Sequence, residues 1–209
     1  MGGQTVGYLG GKVQKAALQG ILAIGWLIAF SSLSAAASLS GTVTIAEVPA
    51  EEAVVYLESV ADHPASPPTS PAVIDQRHLT FFPRVLPVVQ GTTVTFTNSD
   101  NVRHGIFSPS VIAGTFKLGT YGHGEERQVT LTDPGEVIVL CNTHLEMEAR
   151  ILVLKDPYFT LTETSGKYHI ANVPPGTYFL RVWRDRLHAF SEPLELSLTG
   201  DLTLDLRIK

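Results

Sequence analysis

Gly91-Thr-Thr-Val-Thr-Phe-Thr-Asn-Ser-Asp-Asn-Val-Arg-His104 begins as a strand and ends as a loop. Between Thr92 and Thr97, apolar and hydroxyl side chains alternate. Val94 and Phe96 therefore face a core while the threonines face out, the period-two pattern of a half-buried strand. Gly91 turns the chain into that strand. Asn98 starts a polar loop that closes on a histidine.

The same pattern recurs on both sides. Short strands are expected at 41–45, 53–57, 79–82 and 85–89. Residues 127–132 and 137–141 flank Asp133-Pro-Gly135, a strong turn signal, and read as a hairpin. Residues 149–154 read as a further apolar strand, and 167–170 form another short strand. Tyr178, Leu180 and Val182 share one face of 177–183. At the C-terminus, Leu194, Leu196 and Leu198 alternate in one arm and Leu202, Leu204, Leu206 and Ile208 in the next. Gly200-Asp201 between them reads as the turn of a second hairpin. Residues 105–126 read as irregular, and 61–71 as a Pro/Ser/Ala linker with too little apolar content to pack. The fold class is all-β.

The first 37 residues stand apart. Lys12 and Lys15 precede an apolar stretch at 16–30, and small residues follow at 31–38. Positive, apolar, small is the order of a secretory signal, with cleavage expected after Ala35 or Ala37. An uncleaved anchor in the inner membrane is the alternative. The 209-residue chain carries 15 basic and 20 acidic residues, net charge −5, with no basic run that would hold nucleic acid. Loss of the two leader lysines leaves 13 basic against 20 acidic residues, net −7. Expected localisation is periplasmic or secreted.

In an oxidising compartment a single cysteine demands an explanation, because Cys141 has no internal disulfide partner. Its surroundings supply one. Cys141-Asn-Thr-His144-Leu-Glu-Met147 puts a thiolate, an imidazole and a thioether within seven residues at a strand end. His104 adds a second imidazole from another strand. Two histidines and a cysteine in a plane with a weak axial methionine form the ligand set of a type 1 (blue) copper site. Zinc suits it less, since it rarely takes thioether. Taken singly, Cys141 and Met147 could be core filler and His104 a loop histidine. Their joint occurrence with an all-β pattern and an export signal favours metal.

The run from Gly91 to His104, with Asn-x-Asp shortly before the first histidine, resembles the cupredoxin family. The Cys-x-x-His-x-x-Met spacing is similar to that of the amicyanins. Ile74-Asp-Gln, Phe82-Pro-Arg-Val-Leu, Leu118-Gly-x-Tyr121, Gly124-Glu-Glu-Arg127 and Pro157-Tyr-Phe resemble the plastocyanin-like proteins grouped as methylamine-utilisation proteins. The resemblance covers about residues 40–185. It implies a Greek-key sandwich binding one copper ion through His104, Cys141, His144 and Met147. It further implies single-electron carriage, with His144 as the exit toward a redox partner such as a c-type cytochrome or a dehydrogenase. Three positions depart from the pattern. Gly105 stands where an Asn normally fastens the two ligand loops together. Leu140 replaces a common aromatic, and Arg84 stands where relatives often have His.

Ser165-Gly-Lys-Tyr-His-Ile-Ala-Asn-Val-Pro-Pro-Gly-Thr-Tyr-Phe-Leu-Arg-Val-Trp183 resembles the carboxypeptidase regulatory-like (transthyretin-like) sandwich. The expected organisation is a signal at 1–37, first sandwich strands at 38–60, a linker at 61–71, a cupredoxin domain at 72–155 and the rest of the sandwich at 156–209. The second module is expected to have no catalysis of its own. His63, His78, His169 and His188 read as ordinary surface or strand histidines. His123 is expected at the copper end of the molecule, where it would influence docking or potential. No nucleophile motif or acid/base constellation points to an enzyme. The competing readings are a copper-binding or copper-delivery protein and an envelope interaction module, both without electron transfer.

Overall fold

The computed structural model describes residues 36–59, 71–111, 114–185 and 193–208. The expected leader up to residue 35, the linker at 61–70 with His63, and His188 lie outside them. Eighteen strands and no helix are present among the described residues. The first three are β1 (Ala37–Ile45), β2 (Val48–Pro49) and β3 (Val54–Ser59). Next come β4 (Ala72–Arg77), β5 (Thr80–Phe82), β6 (Val85–Val89), β7 (Thr92–Asn98) and β8 (His104–Ser108). They are followed by β9 (Phe116–Tyr121), β10 (Glu126–Leu131), β11 (Gly135–Cys141) and β12 (Glu148–Leu154). The last six are β13 (Phe159–Leu161), β14 (Lys167–Val173), β15 (Gly176–Trp183), β16 (Leu194–Leu198), β17 (Leu202–Thr203) and β18 (Leu206–Ile208).

Strands β4 to β12 make two sheets, ordered β10-β7-β4-β5 and β6-β12-β11-β8-β9. Alternation dictates what lies between them. Val94 and Phe96 of β7, Val137 and Val139 of β11, and Ile151 and Val153 of β12 meet in one core. Antiparallel neighbours predominate, with β4 on β7 and β6 on β12 as parallel pairs. The result is a cupredoxin-like Greek-key sandwich.

The other strands form a second, smaller sandwich. β1 pairs with β14, β17, β18 and β2 in one sheet, while β13-β3-β15-β16 is the other. Leu39, Val43, Val55, Leu57, Tyr178 and Leu180 fill the space between.

Two strands are apolar on both faces, and this joins the sandwiches. In β3, Val55 and Leu57 face the small sandwich core, whereas Val54 and Tyr56 face the other way. In β12, Ile151 and Val153 face the larger core, whereas Leu152 and Leu154 face out of it. Val54, Tyr56, Val85, Leu152, Leu154 and Trp183 meet in a third cluster between the two sandwiches. An uninterrupted apolar run is the signature of a strand buried on both faces. Beside the cluster, the nearly buried Asp185 carboxylate receives Arg84 at 2.5 Å and Arg150 at 3.0 Å. Burial alone would raise the Asp185 carboxyl, but the two guanidiniums hold it below the usual carboxylate range. Arg84 is therefore a fastening between the halves.

Both expected hairpins are corrected. β10 pairs with β7, while β11 pairs with β12 and β8, so Asp133-Pro-Gly135 carries the chain from one sheet to the other. Likewise β16 pairs with β15, but β17 and β18 run parallel to β1 in the opposite sheet. A tight turn with alternating arms fits a sheet-switching arch as well as a hairpin, because alternation reports burial and not the neighbour. Residues 105–126, expected to be irregular, contain β8 and β9 paired antiparallel with a bulge between Ile106 and Phe107. That bulge and Gly119, at φ +74°, interrupt the alternation that would have revealed them.

Candidate metal centre

Two segments carry the expected ligands to the same end of the larger sandwich. Residues 98–104 link β7 to β8, and 141–147 link β11 to β12. Antiparallel pairing of β8 with β11 sets Cys141 opposite Ile106, two residues beyond His104.

The first segment is shaped by buried polar groups. Asn98 donates through Nδ2 to the carbonyls of Val102 at 2.9 Å and Tyr121 at 3.2 Å. Its Oδ1 accepts the Asp100 N–H at 2.9 Å. One side chain thus closes the loop on itself and pins it to β9. The Asp100 carboxylate accepts three further bonds: from the N–H groups of His78 at 2.7 Å and Leu79 at 3.0 Å, and from His104 Nε2 at 2.9 Å. Burial alone would raise this carboxyl, but the Leu79 N–H, the His104 ring and the His78 N–H together hold it below the usual range. The Asn-x-Asp pattern therefore has two jobs. Asn98 folds the loop, and Asp100 grips the histidine.

A carboxylate can only accept, so His104 Nε2 carries the proton and the Nδ1 lone pair is left free on the other side of the ring. That nitrogen lies 3.7 Å from Cys141 Sγ and 3.1 Å from His144 Nδ1, and His144 Nδ1 lies 3.9 Å from Cys141 Sγ. His104 is fully buried, Cys141 is buried and unpaired, and His144 is half-buried. Three lone-pair atoms held this close gain little from one another unless a proton or a cation lies between them. The point equidistant from all three lies about 2.1 Å from each, within the ~2.0–2.3 Å range of bonds from a transition metal to imidazole nitrogen and thiolate sulfur. Donor set and spacing both fit a metal ion.

The second segment is held mainly by its backbone. Cys141 N–H donates to the Met147 carbonyl at 3.3 Å, and Met147 N–H to the His144 carbonyl at 3.2 Å. Thr143 N–H points at Cys141 Sγ at 3.4 Å. Met147 is buried in the same core cluster as Cys141. Leu145, next to His144, is 89% exposed.

Gly105 has a reason in this arrangement. The Asn142 N–H donates to the Gly105 carbonyl at 2.9 Å. A Cβ at residue 105 would fall 2.2 Å from Asn142 Oδ1 and 2.7 Å from its Cγ. Asn142 lies where a side chain on the histidine strand would otherwise be, and Thr143 Oγ1 donates to its Oδ1 at 3.0 Å. The amide side chain between the ligand loops is thus supplied from the cysteine side. Of the remaining histidines, His123 is exposed and donates from Nδ1 to the Asp100 carbonyl at 3.2 Å, which puts it at the same end as the candidate ligands. Sequence reasoning noticed Asn-x-Asp only as a landmark and did not assign Asp100 a role.

No protein-family model and no curated protein matches the chain. Among solved structures, the copper-containing nitrite reductase from Thermus scotoductus SA-01 is 30% identical over 46% of this chain and 25% of that chain, with a TM-score of 0.39. The chain thus spans about a quarter of the reductase. A purple cupredoxin from Nitrosopumilus maritimus is 24% identical over 40% of this chain and 99% of its own, with a TM-score of 0.36. A reduced amicyanin variant is 20% identical over 47% of this chain and 99% of its own, with a TM-score of 0.39.

Proposed function

We propose that the chain is an exported type 1 copper protein that carries single electrons between redox partners. The observation behind this reading is the convergence of His104 Nδ1, Cys141 Sγ and His144 Nδ1 on one point, with Met147 buried in the same core cluster as Cys141. In this reading all four residues would hold the copper, through two imidazoles, a thiolate and a thioether. Bound copper would supply a one-electron couple. The protein's part is to keep the donors in place in both oxidation states. Burial of His104 and Cys141 excludes water, and two paired strands fix where the segments meet. The half-buried His144 beside exposed Leu145 is the natural point of electron exit.

In the same reading residues 72–155 are a cupredoxin domain nested in a regulatory-like sandwich built from 38–60 and 156–209, a spacer or docking module. The leader directs the chain to the periplasm or cell exterior. The mature charge of −7 then suits a partner with a basic face, such as a c-type cytochrome or a dehydrogenase.

The test is the visible spectrum of the chain lacking residues 1–37 after addition of Cu(II), beside a Cys141→Ser variant. An intense blue thiolate-to-copper band, lost in the variant, is the expected result. Pale, readily exchanged copper would reject electron carriage in favour of copper binding or delivery. No uptake at all would leave the interaction module.

A further inference from the structure

His104 offers its metal-facing nitrogen only while its other nitrogen keeps a proton, and that proton is held by one side chain. Asp100 Oδ2 accepts from His104 Nε2 at 2.9 Å, inside a site where the imidazole is fully buried and the carboxylate largely so. The other contacts of that carboxylate are unusual. They are the N–H groups of His78 and Leu79, the central residues of the β4–β5 turn. Both have left-handed backbone conformations, at φ +55° and +56°. Tight hairpin turns of this kind normally use Asn-Gly, because a side chain in this region costs about 1–2 kcal/mol per residue. Here His and Leu adopt it with their N–H groups turned onto Asp100. The β4–β5 turn and the β7–β8 segment are thereby tied to one carboxylate, and the ring of His104 to both.

We propose that Asp100 is a positioning residue for the metal centre. It locks His104 in the Nε2–H tautomer with Nδ1 toward Cys141 and His144, and its negative charge stabilises Cu(II) over Cu(I), keeping the reduction potential low. This rests on the copper reading given above. The physical basis is general: a carboxylate on the outer nitrogen of a ligating histidine fixes the ring and raises its basicity. A more basic imidazole and a nearby negative charge both favour the more highly charged ion.

Two variants separate the charge from the hydrogen bond. Asp100→Asn keeps shape and one acceptor but removes the charge. With copper bound, it is expected to shift the balance about tenfold toward Cu(I), a rise of about 59 mV for a one-electron couple. Asp100→Ala also removes the acceptor. Nitrogen-15 NMR of the metal-free protein is then expected to show His104 as a mixture of tautomers, where the parent chain shows Nε2–H alone. A His78→Asn/Leu79→Gly double variant relaxes the turn, leaves Asp100 in place and is expected to keep both the potential and the tautomer. An unchanged potential in folded Asp100→Asn, or a single Nε2–H tautomer in Asp100→Ala, overturns the proposal. If the parent chain takes up no copper, the metal reading fails, while the tautomer comparison still decides whether Asp100 holds the ring.

Discussion

The two segments that carry the candidate ligands are alike in length and opposite in construction. Residues 98–104 are organised by side chains, with those of Asn98 and Asp100 satisfying six backbone or ring groups between them and leaving His104 fully buried. Residues 141–147 are organised mainly through backbone N–H groups, with contacts of 2.9–3.4 Å, and carry an exposed leucine beside a half-buried histidine. One arm belongs to the fold whether or not a metal is present. The other is the arm that meets the outside. A metal site with one rigid wall and one exposed wall can be preorganised without being sealed.

The comparison can be broken most directly at Asn98. Asn98→Ala orphans the carbonyls of Val102 and Tyr121 and the Asp100 N–H, and is expected to cost the metal-free protein about 2–3 kcal/mol in urea denaturation. A loss below about 0.5 kcal/mol would mean that side chains do not organise this arm. Hydrogen exchange sharpens the same contrast. In metal-free protein the Ser99 and Asp100 amides are expected to exchange at least about tenfold more slowly than those of Thr143 and Met147, a difference of about 1.4 kcal/mol in local opening. Equal rates would erase the distinction.

Gly105 is the seam between the arms. Gly105→Ala pushes a methyl group into Asn142 and is expected to cost about 1 kcal/mol, the low end for overpacking because Asn142 is exposed and can swing aside. Adding Asn142→Gly should abolish that cost, and a double-mutant cycle with no coupling would show that the two residues do not share the space. The smallest effect belongs to Leu145. Leu145→Ser should leave stability within about 0.5 kcal/mol, since the side chain is exposed, while slowing reduction by a protein partner. A large loss of stability would show that the exposed arm is structural after all.

Much of this was legible in the chain. Alternation at 92–97 predicted that Val94 and Phe96 are core, and they are. The sequence grouped Cys141, His144 and His104 as candidate ligands, and their donor atoms lie 3.1–3.9 Å apart. Which strands neighbour each other was not legible. β10 and β11 look like hairpin arms, yet they lie in different sheets, because period two records a buried face and is silent about the edge. β8 and β9 escaped because a bulge breaks their period. The role of Asp100 was hidden for another reason. Its partners lie 4, 21 and 22 residues away, and a hydrogen bond across such a gap leaves no local pattern. Gly105 looked like a missing brace until Asn142 was seen in its place.

The doubly buried strands carry a consequence for any attempt to dissect the molecule. Val54 and Tyr56 are covered by Val85, Leu152 and Leu154, and Asp185 is neutralised by Arg84 and Arg150. Each sandwich is therefore part of the other's solvent boundary. A chain cut to residues 72–155 would present a greasy face to water, with Arg84 stripped of Glu52 and Asp185. It is expected to self-associate through that face, even with His104, Cys141, His144 and Met147 all in place. The smallest soluble unit of this protein is larger than the smallest unit that contains its chemistry.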